Sequence, residues 1–263
     1  MQSRFKPNPG VLDPFIKWIE RFDIRHAKAW GLQYNNDPEA AMCEATFWGV
    51  LQDCNVDVEP CDSLTGEESS PDFKCHKNGE TFYVEVTCLQ IESVTNKTSL
   101  SHEAKDGAQF YTNLNSAIFE KIRRKTPQCS DLDAPALVAI GTFHFEASCL
   151  CVRKDNVEEL LTGEQMISGR IDSQTGGAVG KPYISTRLKD AAFYKPQKSS
   201  GFKDARLPVS GVLIGGFGCE PPRVYGCLHP NAIREFNRQL LDRIEFCQLK
   251  VDDTDNGFIT EWI

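Results

Sequence analysis

Apolar residues recur at helical spacing in some stretches of the chain and alternate or run together in others. The order of the two patterns predicts an α/β fold. Residues 13–33 read as a helix, with Asp13 as cap, Pro14 in the first turn and Phe15, Trp18, Ile19 and Phe22 as its apolar stripe. A second helix is predicted over 38–53, opened by Asp37-Pro38, with Ala40, Ala41, Phe47, Trp48 and Leu51 turned inward. Strand signals follow at 56–60, 71–77 and 81–90, then a helix over about 101–125 and a buried strand over 135–145. A short strand near 149–152 and a helix near 154–161 come next. Residues 162–206 carry Gly163, Gly169, Gly176, Gly177, Gly180 and Gly201 and read as a long loop or insertion with some local structure. Strands at 209–215 and 223–228 and a helix over 230–246 close the pattern. The expectation is a single domain with one central mixed sheet flanked by helices. Its core spans about 38–145, followed by the insertion and an extension over 207–263.

The hairpin at 71–90 carries the first chemistry. Asn78-Gly79 is the strongest two-residue hairpin signal. If these two residues are the turn, Lys77 opposes Glu80 and every cross-strand pair is fixed outward to Phe73 with Val84 and Asp72 with Glu85. Phe73, Cys75, Phe82 and Val84 then share an apolar face, and Asp72, Lys74, Tyr83, Glu85 and Thr87 share a polar one. Directly opposed side chains stand roughly 4.5–5.5 Å apart at Cβ, where like charges destabilise the sheet. A hard divalent cation would offset that repulsion. So would Lys74 or another base, and an exposed pair would simply be tolerated.

Two residues on helices bear on this choice. Glu44 shares the inward stripe of the 38–53 helix, where a carboxylate needs a partner. Lys121 lies on the apolar stripe set by Leu114, Ala117 and Ile118, where it either snorkels to water or reaches a cluster of negative charge.

Pro71-Asp72, twelve intervening residues and Glu85-Val86-Thr87, together with Glu44 on the preceding helix, resemble the PD-(D/E)xK nuclease superfamily over about 110 residues. The resemblance implies a restriction-endonuclease-like core and a metal-dependent nuclease that hydrolyses phosphodiester bonds of DNA or RNA. It implies Mg²⁺, with Mn²⁺ as substitute, held by Asp72, Glu85, the Val86 carbonyl and Glu44, directly or through water. Thr87 stands where the family usually has its lysine, and Ala117-Ile-Phe-Glu-Lys121 resembles branches that carry that lysine on the following helix. Glu44, Asp72, Glu85, Thr87 and Lys121 are therefore the expected catalytic set. A homodimer is the expected partner if both strands of a duplex are cut. The competing class is a degenerate nuclease fold that binds nucleic acid or a protein without cleaving.

Composition adds limits. The formal charge of −8 argues against indiscriminate nucleic-acid binding. Between Lys181 and Arg206, however, seven basic residues face two acidic ones, interleaved with Tyr183, Phe193, Tyr194 and Phe202. Lys189, Lys195, Lys198 and Lys203 are the candidate contacts to nucleic acid, the alternative being a solvated loop. Eleven scattered cysteines without a CxxC pair fit reduced thiols in a cytoplasmic protein. A zinc site would use Cys219, Cys227 and His229 and lacks an evident fourth ligand. Neither a membrane span nor a secretory leader is predicted.

Overall fold

The structure is a computed structural model that describes residues 5, 8–61, 70–98, 100, 102, 114–163, 165–186, 188, 191–197, 201–252 and 257–263. The chain folds as α1 (Pro9–Ile19), α2 (Ile24–Asn36), α3 (Pro38–Asp53), β1 (Asp57–Pro60), β2 (Phe73–Lys77), β3 (Glu80–Cys88), α4 (Ile91–Thr98) and α5 (Leu114–Lys125). It continues through β4 (Ala136–Thr142), α6 (Phe145–Cys151), α7 (Lys154–Thr162), β5 (Gln165–Ile171), β6 (Ala178–Thr186), β7 (Tyr194–Pro196) and β8 (Phe202–Asp204). The last strands are β9 (Gly211–Gly216), β10 (Arg223–Leu228), β11 (Glu245–Asp252) and β12 (Gly257–Trp262). No described helix is long and apolar enough to cross a membrane.

One mixed eight-stranded sheet, in the order β1-β2-β3-β4-β9-β10-β11-β12, runs through the molecule, so the expected core and C-terminal extension share it. The parallel neighbours β3, β4 and β9 form its middle. Both faces there are covered, which is why Ala136–Thr142 and Gly211–Gly216 are buried throughout and read as continuous runs. On one face, Phe15 and Trp18 of α1 and Ala41, Phe47 and Leu51 of α3 pack with Val84, Val86, Leu137 and Leu213. On the other, Leu114, Ile118 and Ile122 of α5 and Val157 and Leu160 of α7 pack with Tyr83, Val138, Ile140 and Val212.

The hairpin register is the expected one from Phe73 to Glu80, and the ladder ends before the expected Asp72–Glu85 pair. Phe73 pairs with Val84, Lys74 with Tyr83, Cys75 with Phe82, His76 with Thr81 and Lys77 with Glu80. Asn78 (φ 54°) and Gly79 (φ 80°) both take the positive φ that this turn requires.

Three expectations are corrected and two are completed. The 13–33 helix is two helices, because Asp23 accepts from the Arg25 N–H (2.8 Å) and starts a new one, while the first begins at Pro9 under Asn8. The expected 101–125 helix is present over Leu114–Lys125, the residues before it lying outside the described ones apart from His102, and α4 is an additional helix. The region near 149–152 is helical: His144 Nδ1 accepts from the Ala147 N–H (3.2 Å) and caps α6. The insertion folds into two antiparallel hairpins, β5-β6 and β7-β8. The 230–246 helix is a 3₁₀ turn at Arg238–Leu241 followed by β11, which lies between β10 and β12. Gly226 lets Phe246 lie across β10, since a Cβ there would sit 2.2 Å from that ring.

Burial, and then His102, push the His144 imidazole down to about 4. Its folded value lies below the unfolded one, so its contribution to stability is present above about pH 6.5 and is lost as pH falls toward 4. A shift of that size is worth on the order of 3 kcal/mol. His144→Asn keeps a capping oxygen and removes the titration. Urea unfolding at pH 7 and pH 5 is expected to show the wild type losing stability relative to the variant at the lower pH. An unchanged difference would contradict it.

Candidate active site

Alternation along β2 and β3 sends Phe73, Val84 and Val86 toward α3 and leaves Glu85 and Thr87 on the face covered by α5. Glu85 is 1% exposed. Asp72 lies one residue before β2, and its Oδ2 accepts from the Val86 N–H at 2.5 Å, which ties it to the residue after Glu85. The structure thus brings together the two motif carboxylates and the backbone of Val86.

Lys125, in the last turn of α5, donates from Nζ to Glu85 Oε1. Its side chain is 27% exposed against 1% for that of Glu85, so the pair is largely shielded from water. Such a pair is costly to break, because the remaining charge stays buried. Burial drives the Asp72 carboxyl up to about 6, against the Val86 hydrogen bond and the nearby Lys125 ammonium, which both favour the charged form. Cys129 completes this neighbourhood. Burial, reinforced by the negative charge of Glu85, pushes its thiol up to about 12, so it is held protonated and is no nucleophile at neutral pH.

The other expected residues are placed as follows. Thr87 is buried on the same strand face as Glu85. Glu44 is also buried, but on α3, which packs on the opposite face of the sheet. Among the described residues no group of three His, Cys, Asp or Glu side chains converges as a metal site. Lys121 is half-buried one turn before Lys125 and lines a cavity between α4 and α5. Lys125 was not singled out in the sequence, although it lies three residues after Ile122 and seven after Ile118, on the same stripe.

Lys195 and Lys203 are exposed and directly opposed on the β7-β8 hairpin. Tyr194 of that hairpin clusters with Leu188, Ala191, Leu249 and Phe258, which sets the hairpin against β11 and β12, at the other end of the sheet from β2 and β3. Lys189 and Lys198 lie outside the described residues.

The zinc reading is overturned. His229 Nε2 bonds the Ala205 carbonyl (2.9 Å) and Nδ1 accepts from the Asn231 N–H (2.9 Å), so both ring nitrogens are committed. All eleven cysteines are free thiols.

The donor set suits a hard divalent cation, since it consists of carboxylate oxygens gathered in a shielded place. Burial opposes the charge on Asp72, and a cation would relieve that cost. In comparisons with known proteins, no family model, no curated protein and no solved structure matches this chain.

Proposed function

We propose that the protein is a metal-dependent nuclease that hydrolyses phosphodiester bonds at Asp72, Glu85 and Lys125. The observation that carries the reading is that Asp72, bonded to the Val86 N–H, and the buried Glu85 carboxylate lie beside a lysine from the next helix. Asp72 and Glu85, with the Val86 carbonyl, would hold Mg²⁺ or Mn²⁺. The cation supplies Lewis acidity toward a phosphate oxygen and lowers the pKa of a bound water.

The chain's own groups do the rest. The Val86 N–H holds one Asp72 oxygen and so fixes the direction of the carboxylate. Lys125 supplies positive charge beside Glu85, where negative charge develops on the phosphoryl oxygens in the transition state. In the structure this ammonium neutralises Glu85 directly; with a cation held by Asp72 and Glu85, Lys125 would be available to face the phosphate. This assigns to Lys125 the role that the resemblance offered to Lys121. Thr87 stays in the proposal as a hydroxyl donor beside Glu85, whereas Glu44, on the helix that packs on the opposite face of the sheet, has no part in it.

Nucleic acid is the proposed partner, with Lys195 and Lys203 as outlying phosphate contacts. The cytoplasm is the proposed compartment, in keeping with the free thiols. Cutting both strands of a duplex would require a homodimer. A second reading, a module that binds nucleic acid without cutting it, is favoured by the ion pair, in which Glu85 already has its counter-charge.

Incubation of purified protein with DNA and RNA oligonucleotides separates the two. Cleavage is expected in Mg²⁺ or Mn²⁺ and not in EDTA. Binding without cleavage under all three conditions would leave the second reading in place.

A further inference from the structure

Between α4 and α5 lies a cavity of about 400 Å³. Its walls carry Lys97 from α4 and Lys121 and Arg124 from α5, with the hydroxyls of Ser93 and Ser116. Leu89, Val94 and Ala117 give it an apolar lining, and Glu120 is its one acidic residue among the described residues. Glu120 is engaged by Arg123 at 2.8 Å and by Arg124 at 3.8 Å, so its charge is largely spent within α5. Among the described residues the lining thus holds three cations and one acid.

Such a cavity is unusual in a protein whose sum of charges is −8. Helix formation explains part of it, since basic residues in the last turn of α5 complement the helix dipole. It does not explain Lys121, which sits before that turn, or Lys97, which approaches from another helix. Lys121 is half-buried, and burial together with Lys125 and Arg124 disfavours its charged form. An anion in the cavity would reverse that penalty. Ammonium, guanidinium and hydroxyl groups lining a concave place of this size are the chemistry that recognises a phosphate group.

The position sharpens the choice of ligand. Lys121 and Lys125 are one turn apart on α5, about 6 Å along the helix, so the Lys121 wall of the cavity lies one helical turn from the lysine that bonds Glu85. We propose that this cavity is a second phosphate subsite, which holds a phosphate of the polynucleotide next to the one being cleaved. The proposal rests on the nuclease reading for the identity of the chain, and on the cavity alone for the phosphate.

The test uses the full chain in EDTA, so that neither cation nor cleavage enters. A fluorescent single-stranded oligonucleotide is titrated by anisotropy over a range of salt, with and without inorganic phosphate as competitor. Wild type is compared with the double variant Lys121→Gln, Arg124→Gln and separately with Lys97→Gln, an exposed position on the other wall that keeps the test open if the double variant fails to fold. The expected result is about a tenfold loss of affinity in the double variant and a smaller loss in K97Q. The salt slope should also flatten by roughly 0.7 for each phosphate that is no longer neutralised. Competition by inorganic phosphate should weaken in both variants.

Affinity and salt slope unchanged in both variants would overturn the subsite, even if phosphate itself still binds there, because the site would then serve free phosphate. The two proposals fail separately. Loss of affinity in a protein that never cleaves would keep the subsite and remove the nuclease. Cleavage with unchanged affinity would keep the nuclease and remove the subsite.

Discussion

Lys125→Met is expected to abolish metal-dependent cleavage, with at least about a hundredfold loss, the scale of removing one charged group that stabilises a transition state. The same change should destabilise the metal-free protein by about 3–5 kcal/mol, since it strands the buried carboxylate of Glu85 without its ammonium. The two effects are separable. Saturating Mn²⁺ should restore much of the lost stability, because a cation replaces the missing counter-charge, while activity should stay low. Lys125→Arg should keep the ion pair and the stability, and its longer planar head should recover only part of the rate. Urea unfolding with and without Mn²⁺, alongside single-turnover cleavage, reads both quantities. Full activity in Lys125→Met would remove Lys125 from the mechanism and return attention to Lys121.

Asp72→Asn should have the converse profile. Without metal it is expected to unfold at the same urea concentration as wild type or a slightly higher one. The amide oxygen can still accept from the Val86 N–H, and burial already opposes the charge on Asp72. With metal the difference should be large. At one hundred times its dissociation constant a bound cation stabilises the native state by about 2.7 kcal/mol. For a chain of this size that is a rise of roughly 5–10 °C in Tm. The rise should appear in wild type, vanish in Asp72→Asn, and take the cleavage activity with it. A Mn²⁺-dependent rise that survives Asp72→Asn would place the cation elsewhere.

The elements that carry this chemistry were the legible ones. Asn78-Gly79 fixed the register of β2 and β3 through local backbone preference, and the alternation of apolar residues fixed their faces, so Asp72 and Glu85 were placed before any tertiary contact was known. Helix α3 was legible for the same reason: Asp37-Pro38 marks its start through capping. The C-terminal segment was not. Phe236, Leu240, Leu241 and Ile244 recur at helical spacing, yet the chain from Glu245 pairs with β10 and β12, and pairing with distant strands outweighs periodicity. Lys125 was missed by one helical turn. Both lysines lie on the apolar side of α5, and only the docking of that helix on β3 and β4 shows which ammonium lies over Glu85. The basic insertion reads as a loop with some local structure because its hairpins lie in separate two-stranded sheets, apart from the central sheet whose buried strands give a clear apolar pattern.

The most direct test of the central claim is a crystal of the protein soaked in Mn²⁺ and measured for anomalous scattering. The expected result is a peak bound by the Asp72 and Glu85 carboxylates, with the Lys125 ammonium displaced from Glu85 but still beside it. Saturating Mn²⁺ with no peak between those carboxylates, and Lys125 still bonded to Glu85, would contradict the claim.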